Sequence, residues 1–572
     1  MVLSFSQTAD RIAATTKKLE KTAIVAEYLK SLPEEDAARA ALFLSGRAFP
    51  AHEQSTLGMG GSLLWQVIAE LSGKTDAQLH ALYKTHGDLG DVAAGALPER
   101  EPKLKLADID TAFRQIAAAR GPGPKSAIVR ELLARATPRD AKYVVKIITG
   151  DLRIGLKESL VEEAIAKGYG LPLAEVQRAN MLLGDIGATL KLAATNQLGE
   201  ARMRLFHPID FMLASPAETA EDALSYFPDA LVEDKYDGIR AQAHIANGEV
   251  RIFSRTRDDI TSSFPELPDA LAGLPEPAIL DGEIVAWSMS GTGGSETARA
   301  LPFSVLQQRL GRKKVSEKML HEIPVAYLVF DVLYAGNELL LNVPLRERGK
   351  VVDRLLADRK PTMALRRETQ SRLMFGEEDD HLGASVVRAP VFSAHSAEEL
   401  EALFTAAQAR GNEGLMIKDP NSLYTPGRRG KSWLKMKKEL ATLDVVVTAV
   451  EYGHGKRIGV LSDYTFAVWD GDRLVNIGKA YSGLTDAEIA EMTKWFLAHT
   501  LEDHGMRLVV EPSVVLEVAF NNMMVSTRHE SGYALRFPRI VRIRNDKLPQ
   551  DADTLETAKK IFDRQKWFAI EG

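Results

Sequence analysis

Lys235 lies in EDKYDGIR, residues 233–240, between acidic neighbours, with Gly238 and Arg240 close behind. A lysine amine is a nucleophile only when neutral, and it ordinarily titrates near ~10.4, so a bond-forming lysine needs surroundings that disfavour its charge. Asp234 and Asp237 taken alone favour the charge, although strand alternation can turn either of them away. The local reading is a solvated charge cluster, and the chemistry has to come from other segments. SRTRDD, 254–259, offers Arg255 and Arg257 at the start of a loop, and a guanidinium fork matches phosphate oxygens. LDGEIVAW, 280–287, and EGLMIKDP, 413–420, set Glu283 and Glu413 beside apolar strand-like runs, where they are either hard oxygen ligands for Mg²⁺ or solvated strand ends. Phe330 in FDVLY either stacks on a base or fills a core. In WLKMKK, 433–438, Lys435 and Lys437 flank Met436, so a strand would send both amines to one face, as a phosphate site or a basic edge.

Three kinds of element must carry these residues. Residues 1–205 read as helices, with apolar positions three and four apart in stretches such as SLLWQVIAELSG and KSAIVRELLARA. Within them DLRIG, from 151, places Arg153 and Lys157 around a turn entering a helix, an arrangement that suits a backbone phosphate. Residues 206–438 alternate short β-rich pieces with helices, an α+β body in which 289–300 reads as a flexible loop and 376–383 as an exposed acidic turn. Residues 439–572 read as a small β-barrel of the OB-fold kind with a helical insertion over DAEIAEMTKWFLAHTLEDHG and a terminal helix.

Composition sets the outer limits. A chain of 572 residues exceeds the roughly 250–300 at which one core stops growing, so several domains are expected. No apolar run approaches the ~18 residues of a membrane span, and the first residues lack a secretory pattern, so a cytoplasmic enzyme is expected. The absence of cysteine excludes disulfides and Cys-ligated zinc. The net charge of −6 argues against a protein that coats nucleic acid, yet 427–438 holds six Lys or Arg and 538–547 holds four, enough to neutralise phosphates locally.

Together and in order, KYDGIR, SRTRDD, LDGEIVAW, VFDVLY, EGLMIKDP and WLKMKK resemble the covalent nucleotidyltransferase core of ATP-dependent DNA ligases. RFPRIVRIRNDK, 536–547, resembles the last motif of their OB-fold domain, and DLRIG resembles a feature of their DNA-binding domain, so the likeness covers the whole chain. It implies an all-α DNA-binding domain, an α+β adenylation domain and a C-terminal OB-fold. Lys235 would attack ATP and carry AMP to the 5′-phosphate of nicked duplex DNA. Glu233 would lie near adenine, chiefly through its backbone, with Phe330 stacked on the base. Arg240 would contact ribose or the DNA terminus, and Arg255 would orient phosphate. Glu283 would contact ribose and, with Glu413, help hold Mg²⁺ or Mn²⁺. Lys435 and Lys437 would meet the α-phosphate, and Arg542 would help orient pyrophosphate. Asn545 departs from the Glu that larger relatives tend to carry. The resemblance further implies monomeric action in a bacterial cytoplasm or nucleoid. A binding module with a decayed core, or an RNA-joining or capping enzyme, are the competing readings.

Overall fold

The apolar spacing of the N-terminal residues folds into helices running from Phe5–Ala13 to Ile186–Ala194. The structure, a computed structural model, describes residues 4–290, 297–310, 315–357, 385–437, 441–454 and 457–570. Local chemistry sets the helix starts. Ser4 with Gln7 and Thr75 with Gln78 form reciprocal capping boxes, while Thr137 and Asp185 cap through one side-chain oxygen each. Phe43 packs edge to face against Phe5 and Phe113 at 6.2 and 5.7 Å, and Tyr143 against Phe5 at 6.4 Å. The DLRIG turn is bound in place before the helix Glu158–Tyr169. Arg153, at φ +53°, donates to the Gly87 carbonyl at 3.0 Å and meets the buried Asp88, which also pairs with the buried Lys146 at 3.0 Å. Among the described residues no helix is long and apolar enough to cross a membrane.

Two compact units result, residues 1–202 with 440–562, and residues 203–439. The second carries, in chain order, β1 (Leu213–Pro216), β2 (Ala230–Lys235), β3 (Ile239–Ala246), β4 (Glu249–Ser254), β5 (Ala278–Ser290) and β6 (Thr297–Ala300). It continues with β7 (Val325–Ala335), β8 (Glu338–Leu339), β9 (Ser385–Arg388), β10 (Phe392–Ala394), β11 (Gly414–Lys418) and β12 (Arg429–Lys437). One sheet runs β1-β12-β11-β2-β10 and the other β4-β3-β5-β7-β8, with β6 on β5 and β9 on β7. Each has its own core. Val232, Leu415, Ile417, Leu434 and Met436 of the first sheet cluster with Leu400 and Ala407 of the helix Ala397–Ala409, and Ala241, Leu280, Ile284 and Val329 of the second with Val352 and Leu355 of the helix Leu345–Leu356.

The C-terminal sheet belongs to the first unit: β13 (Ala441–Tyr452), β14 (Leu461–Asp470), β15 (Arg473–Ala480), β16 (Thr500–Asp503), β17 (Arg507–Val510), β18 (Val515–Phe520), β19 (Asn522–Val525), β20 (Tyr533–Arg536) and β21 (Arg539–Ile543). Its coiled character shows in β13, whose first half pairs with β18 and whose second half pairs with β14 and β17. This is the barrel-like β region the sequence predicts.

Two local expectations are corrected. The loop expected over 289–300 has strands at its ends, because Met289 pairs with Ala298 and Ser290 with Thr297. Alternating apolar and polar residues there serve a ladder, and the Gly-rich middle obscured it. The helix expected through LEDHG stops at Ala498, and Thr500–Asp503 pairs with β17 instead. The turn expected over 376–383 lies outside the described residues.

The segment entering the second unit is tied down by a buried histidine. His244 Nδ1 accepts the Phe206 N–H at 3.0 Å, so its proton sits on Nε2, which donates to Gln242 Oε1 at 3.2 Å. Gln242 in turn bonds Ile209 through both its amide groups. Burial, with His207 adding to it, lowers the His244 pKa from 6.5 to about 3. The folded chain keeps this ring neutral while the unfolded chain protonates near 6.5, so its contribution is whole above that pH and declines as the pH falls toward 3. Unfolding free energy should drop by about 2 kcal/mol between pH 7 and pH 5 from this group. Thermal unfolding at the two pH values, compared with His244→Asn, measures the share that disappears with the ring.

Candidate active site

The cleft of residues 203–439 is built by strand alternation. On β2, Glu233 and Lys235 face it, while Val232 joins the core on the other side. On β11 Met416 and Lys418 face it while Leu415 and Ile417 are buried behind, and on β12 Trp433, Lys435 and Lys437 alternate with Leu434 and Met436. Arg240 of β3, Arg255 after β4, Glu283 of β5 and Phe330 of β7 complete the opposite wall. Register explains the convergence: Lys235 lies opposite Gly414, Glu233 opposite Met416, and Arg240 opposite Glu283.

At the nucleophile's end, Lys235 Nζ stands 2.6 Å from Glu413 Oε2, and Lys437 Nζ stands 2.7 Å from the same oxygen. Burial works against ionisation of Glu413, but Lys235 and Lys437 together outweigh it and hold the carboxyl below its usual range. That oxygen is buried and accepts no well-angled hydrogen bond despite its two ammonium neighbours. Glu283 differs: burial, with Asp281 and Glu413 adding to it, pushes its carboxyl up to about 8 against the pull of Lys235 and Arg240. Burial also lowers Lys435, reinforced by Lys437, Arg429, Lys235 and Arg255. Five cations therefore surround one end of the cleft, where a polyphosphate would relieve their mutual repulsion.

The other end is aromatic. Phe330 and Trp433 meet edge to face at 6.3 Å, and Lys418 Nζ lies 4.5 and 4.3 Å from their ring centroids. Lys418 is 1% exposed and bonds Glu233 Oε2 at 2.5 Å, burial lowering its pKa against the pull of that carboxylate. The Glu233 carboxylate is thus committed to a partner. Arg240 is anchored as well, by two bonds to the fully buried Asp281 at 3.1 and 2.7 Å and one to the Met212 carbonyl at 2.7 Å. Burial opposes its charge, yet Asp281 holds it above the ordinary range.

Lys235, Glu233, Arg240, Arg255, Glu283, Phe330, Lys435 and Lys437 therefore share one cleft, with Glu413 directly behind two of its lysines. Arg542 belongs to the other unit, on β21, where it donates to Glu517 at 2.7 Å. Sequence reasoning missed Lys418, Trp433, Arg429 and Asp281. For Lys418 a signal existed, since a lysine continuing the alternation of β11 must find a buried partner. No such signal marked Asp281, whose role depends on Arg240 across the sheet.

Among the described residues no three His, Cys, Asp or Glu converge as a metal site. Glu283 and Glu413 nonetheless suit a divalent ion that takes one or two carboxylates and completes its shell with phosphate and water. Glu413 Oε2 already lies between two ammonium groups, so an ion there would share or displace Lys235 and Lys437.

Comparison with known proteins agrees with this geometry. Residues 211–437 match the family described as ATP dependent DNA ligase domain, 1–166 DNA ligase N terminus, and 457–547 ATP dependent DNA ligase C terminal region. A probable DNA ligase of Koribacter versatilis is 59% identical across 98% of this chain and 96% of its own length. A probable DNA ligase of Opitutus terrae is 44% identical across 97% of this chain, which spans 62% of that protein. The solved structure named Pmar-Lig_PreS3 shares the fold at a TM-score of 0.60 and 17% identity, over 95% of this chain and 99% of its own.

Proposed function

The chain belongs to the ATP-dependent DNA ligase family and is such a ligase, and we propose that it seals nicks in duplex DNA through a Lys235–AMP intermediate. The carrying observation is the cleft itself, with a lysine amine among a cluster of cations at one end and an aromatic wall at the other. In the first step the Lys235 nitrogen forms a bond to the α-phosphorus of ATP as the bond to the β-phosphate oxygen breaks, releasing pyrophosphate and the lysine proton. The 5′-phosphate of the nick then displaces the lysine from AMP. Attack by the adjacent 3′-hydroxyl completes the phosphodiester and releases AMP.

Each wall has work in that scheme. Lys435, Lys437, Arg255 and Arg429 offset charge on the phosphates; burial first, and then these cationic neighbours, lower the Lys435 pKa, so an anion placed among them is welcome. Glu283 and Glu413 would hold Mg²⁺, or Mn²⁺ in its place, and a bound ion would draw charge from the reacting phosphate. Arg240, held by Asp281, presents a fixed guanidinium beside Phe330, 5.4 Å from its ring centroid. At the base, Lys418, held by the Glu233 carboxylate, is the donor offered to a ring nitrogen of adenine. Lys418→Met should raise the ATP concentration for half-maximal labelling about tenfold, the cost of leaving a buried hydrogen-bonding group unpaired. Titration of ATP, with GTP in parallel, measures it.

Arg542 is assigned to pyrophosphate orientation on the family resemblance. Nicked duplex DNA is the proposed substrate, bound through its backbone by the helical and barrel regions of a single monomer. The deciding experiment mixes the purified chain with α-labelled ATP and with nicked DNA or nicked RNA, replacing ATP by GTP or NAD in parallel. Label on Lys235 and sealing of DNA with ATP are expected. An unlabelled protein, once shown not to have been isolated already adenylated, would overturn the covalent scheme.

A further inference from the structure

The carboxylate preceding Lys235 in sequence serves a different contact from the lysine's own. Asp234 alternates with Glu233 and Lys235 and lies on the side of β2 where the helix Ala397–Ala409 packs. There its side chain, 6% exposed, receives Arg410 Nε at 2.8 Å and Nη2 at 2.7 Å, and Asn412 Nδ2 at 2.8 Å. A forked pair of this kind fixes direction as well as distance.

Arg410 and Asn412 form the turn that leaves this helix, and the next residue is Glu413. The Glu413 N–H donates to the Lys235 carbonyl at 2.9 Å, and its carboxylate reaches Lys235 and Lys437. Gly414 then enters β11 at φ +147°, where a Cβ would lie 2.1 Å from the Met436 carbonyl oxygen. No side chain fits at that position to help hold the turn. The tie at Asp234 thus adds a side-chain link between residues 410–412 and the nucleophile's strand, just before the backbone pairing of Glu413 and Gly414 with Lys235 begins.

We infer that Asp234, with Arg410 and Asn412, is a positioning group that sets the Glu413 carboxylate against the Lys235 amine. The inference rests on the proposed adenylyl transfer to Lys235. A brace that only stabilised the sheet would weaken every step of the reaction alike. A positioning group slows the step in which Lys235 reacts far more than ATP binding or the final sealing step, where Lys235 is not the nucleophile.

The experiment uses the full chain with Asp234→Asn and, because Arg410 is 45% exposed and its loss leaves a smaller defect, Arg410→Ala. Single-turnover labelling by α-labelled ATP is measured across ATP concentrations, beside sealing of a nick already carrying AMP on its 5′-phosphate. Maximal labelling should fall roughly tenfold in Asp234→Asn and roughly threefold in Arg410→Ala, since small misplacements of reacting groups have effects of this order. The half-saturating ATP concentration and the sealing of the pre-adenylated nick should stay within about twofold in both. Labelling at the wild-type rate in both variants overturns the inference, as does an equal loss in labelling and sealing. If Asp234→Asn does not fold, Arg410→Ala decides by the same comparison. A wild-type chain that takes no label removes the adenylyl-transfer reading and this inference together.

Discussion

Lys235→Arg should abolish labelling by ATP, by at least about 10⁴-fold, while leaving the seal on a pre-adenylated nick measurable. Loss of a nucleophile carries penalties on the order of 10⁴–10⁶ in rate, and arginine keeps the positive charge without offering a free electron pair at neutral pH. Arginine also retains a partner for Glu413 Oε2, now 2.6 Å from the lysine amine, so the cleft keeps its electrostatic balance. Lys235→Ala removes that partner too and leaves Lys437 as the ammonium beside Glu413. A difference between the two variants in sealing the pre-adenylated nick reports what the charge at 235 contributes after the bond-forming step. Label appearing on either variant would place the covalent bond on another residue and sink the assignment.

The sequence discloses the contributors to this cleft better than their relations. Lys435 and Lys437 are readable as a pair because a strand repeats every two residues, and the structure places both in the cleft across the buried Met436. Asp234 shows the limit. Next to Lys235 in the chain it looks like a partner for the amine, yet the pleat sends it to Arg410 and Asn412, 176 and 178 residues away. The true neighbour is Glu413, brought there by the register of β11 on β2. Register across non-adjacent strands depends on which hydrophobic faces meet, and local pattern carries no information about the partner. The same reason hid the Glu233–Lys418 and Arg240–Asp281 pairs. The helices were legible because their caps and spacing are local, whereas the strands flanking 291–296 were masked by the small and polar residues between them.

Asp331→Ala should destabilise the chain by about 3–5 kcal/mol, because it strands a buried guanidinium. Asp331 and Arg348 are both fully buried and joined by two bonds, at 2.7 and 2.8 Å, linking β7 to the helix Leu345–Leu356. Arg348 also donates to the Val343 carbonyl at 2.5 Å and the Ser422 carbonyl at 3.1 Å, so it gathers three chain segments. Replacing both partners, as Asp331→Leu with Arg348→Met, should recover most of the loss, since the desolvation of two charges disappears together with their attraction. Chemical denaturation of the single and double variants distinguishes these outcomes. A single variant as stable as wild type would mean that water reaches the site and the pair contributes nothing. The functional consequence separates the two variants further. Asp331 follows Phe330 on β7, and the pleat turns one side chain toward the helix and the other toward the cleft. If the pair's purpose is to fix that register, the double variant regains stability yet still requires more ATP for half-maximal labelling. If its purpose is stability alone, ATP dependence returns to the wild-type value along with the unfolding midpoint.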